Sequence, residues 1–113
     1  MKPNKFKAIR TTVDGMAFDS KGEARRYSEL RLLEKAGIIN RLERQVEFQL
    51  MAHGGEKIGK YVADFSYVDG DQKQRVVEDF KSPATAKHPL FAWKRKHMKA
   101  QYGIDIKITG AGN

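Results

Sequence analysis

YVADF at residues 61–65 and, one hairpin later, VVEDFK at residues 76–81 decide the fold of this chain. Both runs are rich in β-branched and aromatic residues, as strands are, yet each places an acid among them. Side chains two positions apart in a strand point to the same face, so Asp79 and Lys81 project side by side, and Asp64 can reach them from the neighbouring strand. Gathering these charges is costly unless a ligand uses them, as a divalent metal ion and a phosphodiester would.

A helix precedes these strands, and a helix and a strand follow them. Ser20 and Glu23 have capping-box spacing and Gly37 is a good C-terminal stop, which predicts a helix over residues 21–36. The later segments are predicted, in order, as strands at 46–50, 60–68 and 75–81, a loop at 82–87, a helix at 89–102 with Leu90, Phe91, Met98 and Tyr102 buried, and a strand at 104–108. The fold class is therefore α/β, a central mixed β-sheet flanked by helices, in which the first three strands form an antiparallel meander.

Length and composition indicate one domain. The chain has 113 residues, of which 40% are hydrophobic, enough for one modest core. Residues 1–17 are basic and irregular and are interpreted as an N-terminal arm, with a tight turn at residues 13–16. Residues 18–113 form the single predicted domain.

The charge balance favours nucleic acid as partner. Lysine and arginine number 22 against 14 acids, which gives a net charge of +8. The absence of cysteine excludes disulfides and thiolate metal sites. Neither an apolar run of roughly 20 residues nor the apolar core of a signal peptide is present, so the expectation is a cytoplasmic protein without a membrane partner.

The acids suit magnesium chemistry. Phosphodiester hydrolysis requires a nucleophilic water and neutralised phosphate oxygens, which Mg²⁺ can supply. Mg²⁺ prefers oxygen ligands and retains several waters, so a few carboxylates such as Asp64 and Asp79 suffice, and Mn²⁺ can substitute. Lys81 would orient the attacking water or balance the phosphate charge.

Two further acids are ambiguous. Glu23 is either a third metal ligand or a capping-box glutamate, and its spacing favours the cap. Glu78 alternates with Asp79 and points to the opposite face, although a bulge or a register change would bring it towards Asp64 instead. Spacing alone leaves both alternatives open.

The second predicted helix and its approach are strongly basic. A solvated helix face is the usual explanation of such charges, but their position directly after the proposed site favours phosphate contacts. The candidate nucleic-acid-binding residues are Lys87, Lys94, Arg95, Lys96 and Lys99.

The order of these motifs resembles the PD-(D/E)XK nuclease superfamily. More closely, FDSKGEA with Tyr27, YVADF, VEDFK and YGI, which span residues 18–104, resemble a small phage-encoded family related to endonuclease I-type Holliday junction resolvases. Ala63 stands where the superfamily often has proline. The resemblance implies a restriction-endonuclease-like core, Glu23, Asp64 and Asp79 as catalytic metal ligands, and Lys81 as the catalytic lysine.

The expected function is therefore a Mg²⁺-dependent DNA endonuclease, a metal-binding hydrolase. The expected function extends to branched DNA in phage recombination or replication, although the resemblance implies no particular DNA substrate, and a phage-encoded protein would act in the host cytoplasm. A homodimer would place two sites on two strands. The alternatives are a DNA-binding phage protein that keeps the nuclease fold without catalysis and a structural phage protein whose basic face serves assembly.

Overall fold

The computed structural model describes residues 11–110. In chain order the elements are β1 (Thr11–Val13), β2 (Met16–Phe18), α1 (Lys21–Lys35), β3 (Ile39–Met51), β4 (Lys57–Asp69), β5 (Arg75–Phe80), α2 (Pro83–Ala86), α3 (Pro89–Tyr102) and β6 (Lys107–Thr109). Among these residues, no helix is long and apolar enough to cross a membrane.

The main sheet has four strands in the order β3-β4-β5-β6. β3, β4 and β5 are antiparallel neighbours, and β6 joins β5 in parallel after the crossover through α3. The predicted α/β class, with a mixed sheet and an antiparallel meander, is confirmed. β3 and β4 are longer than predicted, because together they form one long hairpin of two 13-residue strands.

α1 begins where the cap predicts. The Ser20 Oγ accepts a hydrogen bond from the Glu23 backbone N–H at 3.1 Å, which satisfies one of the free donors of the first turn. Gly37 follows the helix with φ 78°, a conformation that glycine adopts without strain. The face of the helix that meets the sheet is built from Ala24, Tyr27 and Leu30.

The described part of the predicted arm pairs into a hairpin. β1 and β2 join through the predicted tight turn, with Asp14 at φ 52° and Gly15 at φ 77°. Phe18 is 1% exposed and packs beneath α1. Residues 1–10, the remainder of the predicted arm, lie outside the described residues.

Two apolar clusters hold the fold together. The cluster beneath α1 contains Phe18, Ala24, Tyr27, Leu30, Ile39, Phe65 and Tyr67. The cluster beneath α3 contains Phe48, Leu50, Tyr61, Ala63, Val77, Phe91, Met98 and Ile106. β4 and β5 contribute to both clusters, so the acids of these strands lie between two packed layers.

The C-terminal third differs from prediction in three places. In α3, Phe91 and Met98 are buried, but Leu90 and Tyr102 are 54% and 40% exposed, because the contact with the sheet covers only a narrow side of the helix. The predicted loop contains α2, whose first turn is capped by Ser82. The last strand begins at Lys107, although Ile106 just before it is buried in the cluster beneath α3.

Candidate active site

The candidate site lies where the pairing of β4 with β5 ends. The last ladder pair joins Phe65 to Glu78. One residue further on, the Asp64 N–H donates to Asp79 Oδ1 at 3.2 Å, and the Phe80 N–H donates to Asp64 Oδ2 at 2.8 Å. Each aspartate thus satisfies a backbone N–H of the opposite strand beyond the end of the ladder. Because backbone groups fix both acids, the fold itself sets their separation.

Asp79 is the buried centre of the site. It is 1% exposed, and its Oδ2 accepts a hydrogen bond of 2.6 Å from the Tyr61 hydroxyl. Lys81 Nζ lies 3.5 Å from the same oxygen and 4.8 Å from the centroid of the Phe91 ring. Asp79 and Lys81 therefore lie side by side, as strand periodicity predicts, and Asp64 reaches them from β4.

Glu23 faces this group from α1. Its backbone N–H serves the cap, whereas its carboxylate, mostly buried, lies 3.8 Å from the Arg44 guanidinium. Glu23 and Asp64 line a cavity of about 520 Å³ together with Asp19 and Lys81. The two explanations of Glu23 are therefore compatible, because the backbone forms the cap and the side chain faces the cavity.

The charges in this acidic cavity are not balanced. Burial, followed by the hydrogen bond to Asp79 and the charges of Asp79 and Glu23, raises the pKa of Asp64 to about 8. Burial and the charge of Asp19 raise the pKa of Glu23, against the opposing effect of Arg44. Asp64 and Glu23 thus hold protons more readily than free carboxylic acids do, and a cation in the cavity would relieve the repulsion between the acids.

Glu78 lies on the opposite face and has its own partners. Its two carboxylate oxygens accept hydrogen bonds from Arg26 Nε and Nη2 at 2.5 and 3.0 Å, and the Tyr67 hydroxyl donates to Oε2 at 2.6 Å. The structure therefore places Asp79, and not Glu78, beside Asp64 and Lys81. The alternative register is not the one observed.

The donor set fits a divalent metal ion. Among residues 11–110, no three potential ligand side chains stand close enough to hold a metal ion as they are placed. The groups that face one another are nevertheless carboxylate oxygens, which Mg²⁺ and Mn²⁺ prefer. Asp64 and Asp79, with Glu23 across the cavity, are the residues that would hold such an ion.

The basic residues of the second predicted helix do not share one face. Lys94 lines a cavity next to the site, together with Lys60 and Lys81. Three others, Arg95, Lys96 and Lys99, line a separate cavity of about 470 Å³, where Lys99 is paired with Asp105 at 2.9 Å. Lys87, at the end of α2, is exposed.

Sequence reasoning assigned no role to two residues of the site. Tyr61 donates to Asp79, and Arg44 lies beside Glu23. The signal for Tyr61 was present in the sequence, because a tyrosine in a buried strand needs a partner for its hydroxyl and the facing strand carries an acid. Arg44 had no local signal, because it reaches Glu23 only through the folding of β3 along α1.

Two glycines leave room for the ring of Phe80, which lies between the catalytic candidates Asp79 and Lys81 in the sequence. A Cβ at Gly22, in the first turn of α1, would overlap the Phe80 ring. A Cβ at Gly110 would lie 2.7 Å from the same ring and 3.0 Å from the Lys81 carbonyl oxygen. The helix that carries Glu23 therefore approaches β5 closely only because residue 22 lacks a side chain.

Comparison with known proteins gives one family. No curated protein and no solved structure matches the chain. A family model described as "Protein of unknown function (DUF1064)" matches residues 3–111, nearly the whole chain. The chain therefore belongs to the DUF1064 family.

Proposed function

We propose that this protein is a Mg²⁺-dependent endonuclease that hydrolyses phosphodiester bonds in DNA. The observation that carries the proposal is the end of the β4–β5 ladder, where Asp64, Asp79 and Lys81 lie together. Glu23 adds a third carboxylate across the same cavity. A structural role alone would not require a buried acidic group whose charges remain unbalanced.

Each residue of the site has a distinct role in this proposal. The carboxylates of Asp64 and Asp79, with Glu23, hold the metal ion, which when bound supplies charge neutralisation and an activated water. Tyr61 fixes the rotamer of Asp79 through its 2.6 Å hydrogen bond. Lys81 orients the attacking water and offsets the charge of the phosphate. The backbone N–H groups of Asp64 and Phe80 keep both aspartates in place.

DNA is the proposed substrate because the chain carries a net charge of +8. The end of α2 and α3 carry five cations, of which Lys94 lines the cavity next to the site and three others line a separate cavity. The proposed phosphate contacts are Lys87, Lys94, Arg95, Lys96 and Lys99. Of these, Lys94 is the proposed phosphate contact beside the cleaved bond, because it lines a cavity with Lys81. Phosphate contacts of this kind would make binding strongly salt-dependent.

The test is cleavage of labelled duplex, single-stranded and four-way-junction DNA in Mg²⁺, Mn²⁺ or EDTA. We expect cleavage of at least one substrate with either metal ion and none in EDTA. Asp64→Asn should lose the activity, whereas Asp71→Asn, the same change in the exposed β4–β5 turn, should keep it. DNA binding without cleavage under every condition would instead support the non-catalytic DNA-binding alternative, and equal activity of Asp64→Asn would overturn the assignment of the site.

A further inference from the structure

A second cavity adjoins the acidic one and has the opposite character. It has a volume of about 340 Å³ and lies between β4 and the start of α3. We refer to it as the basic cleft, lined chiefly by Lys60, Val62, Lys81, His88, Leu90 and Lys94. Lys81 and Thr85 line both cavities, so the two are adjacent. A strand that crosses the acidic cavity can therefore continue into the basic cleft.

The positive charge of the cleft is only partly compensated, although Asp79 lies 3.5 Å from Lys81. No aspartate or glutamate of the described range 11–110 lines it. Lys60 has an acid at 3.9 Å, Glu47, in an exposed pair that contributes little. Within that same range, Lys94 forms no ion pair. The charge of the cleft therefore favours an anionic ligand.

Both sides of the cleft carry an exposed apolar residue. Val62 on β4 and Leu90 on α3 are 38% and 54% exposed, although both belong to elements with a buried face. Leu90 does not serve the core, because Phe91 and Met98 already fill the contact of α3 with the sheet. Lysines beside exposed apolar residues match a ligand that combines a phosphate with the apolar faces of a sugar and a base.

We propose that the basic cleft binds one unpaired nucleotide next to the cleaved phosphodiester, an inference that rests on the proposed function. Its phosphate would contact Lys94 and Lys60, and its sugar and base would cover Leu90 and Val62. A cleft of about 340 Å³ has the size of a small-ligand site and admits one nucleotide, whereas a base-paired one would bring its partner strand with it. The substrate class that follows is DNA with a single-stranded segment at the point of cleavage.

The experiment compares binding of a short labelled oligothymidylate with that of the matched duplex, by fluorescence anisotropy in EDTA over a range of salt concentrations. The parent protein should bind the single strand more tightly. Lys94→Gln should weaken binding of the single strand and reduce its logarithmic salt slope by about 0.7. Leu90→Ser should weaken binding about fivefold at an unchanged slope, because it removes an apolar contact and no charge.

Two matched controls are available on α1. Lys35→Gln removes the same charge at the far end of that helix, and Leu32→Ser removes a leucine that is also more than half exposed, 67% against 54% for Leu90. Both should bind as the parent does. Duplex binding as tight as single-strand binding, or Lys94 and Leu90 variants that match these controls, would overturn the proposal.

The two proposals fail separately. A protein that binds the single strand through Lys94 and Leu90 but cleaves nothing with Mg²⁺ or Mn²⁺ supports the cleft and overturns the nuclease. Cleavage that depends on Asp64 but not on Lys94 or Leu90 supports the nuclease and overturns the cleft.

Discussion

Glu78 and Asp79 are neighbours in β5 with opposite surroundings. Glu78 is 0% exposed and has a guanidinium and a hydroxyl on its carboxylate, from Arg26 and Tyr67. Asp79 is 1% exposed, but its surroundings include a second aspartate and a glutamate, and within residues 11–110 its one ion-pair partner is the ammonium of Lys81. Burial alone therefore does not distinguish a functional acid from a structural one. The informative feature is a deficit of compensating charge.

The largest expected effect comes from neutralising each of the two acids in turn. Asp79→Asn should abolish metal-dependent cleavage while DNA binding persists or strengthens, because a phosphate is no longer repelled. The fraction of Glu78→Gln that remains folded should cleave DNA as the parent protein does. Rates are measured at a temperature at which circular dichroism shows both variants folded. Full activity in Asp79→Asn with loss in Glu78→Gln would reverse the assignment of the two faces.

Stability should respond in the opposite sense. Glu78→Gln removes the buried partner of Arg26, which keeps only its exposed pair with Glu29, and should cost about 3 kcal/mol of unfolding free energy, the low end for buried pairs because Arg26 is 19% exposed. Asp105→Asn, which opens the exposed pair with Lys99, should cost less than about 1 kcal/mol. Urea unfolding measures both. Equal costs would show that the Arg26–Glu78 pair is no more than a surface contact.

The pH dependence of stability should reveal the unbalanced charges around Asp64. The pKa of Asp64 is raised from 3.8 to about 8, so the folded state holds this proton over a range in which the unfolded state does not. Its stabilising contribution is complete below the unfolded pKa and is lost as the pH rises through about 8. In EDTA, the melting temperature should fall between pH 5 and pH 9.

The source of that pH dependence can be isolated. Asp64→Asn should flatten the fall, and Mg²⁺ added to the parent protein should reduce it, because either change removes repulsion by Asp79 and Glu23. Asp71→Asn, in the exposed turn, should leave the curve unchanged. A parent protein whose melting temperature is constant over this range would show that the acids are balanced after all.

The smallest expected effects separate the cap from the side chain at the start of α1. Ser20→Ala removes the hydrogen bond to the Glu23 N–H and should cost about 1 kcal/mol with little change in cleavage. Glu23→Gln keeps that bond and should lose cleavage far more than stability. If Glu23→Gln cleaves normally and only melts earlier, its carboxylate belongs to the cap, and the metal site has two carboxylates.

Features that depend on local spacing were predictable from the sequence. The start of α1 follows from Ser20 and Glu23, and the juxtaposition of Asp79 with Lys81 follows from strand periodicity. The order of elements and the mixed sheet followed from the hairpin signals and the helix between the last two strands. These patterns involve residues close in sequence, so elementary geometry constrains them.

Features that depend on distant partners were not predictable. Arg26 and Glu78 are 52 positions apart, and no pattern in either segment indicates that they meet. The length of β3 and β4 depends on how far the two strands pair, and the exposure of Leu90 depends on how narrow a side of α3 the sheet covers. The role of Glu78 was left open for the same reason, because only its partners, Arg26 on α1 and Tyr67 on β4, distinguish it from Asp79.

Gly22 allows α1 to approach β5 closely beside the proposed metal site. The Phe80 ring fits beside the helix that carries Glu23 because Gly22 and Gly110 lack side chains. Oxygen ligands lie at about 2.0–2.1 Å from Mg²⁺ but at about 2.3–2.6 Å from Ca²⁺. A methyl group at residue 22 would require the Phe80 ring or the start of α1 to move. An outward movement of α1 would widen the proposed metal site, so replacement of Gly22 by alanine should shift its preference from the smaller ion towards the larger.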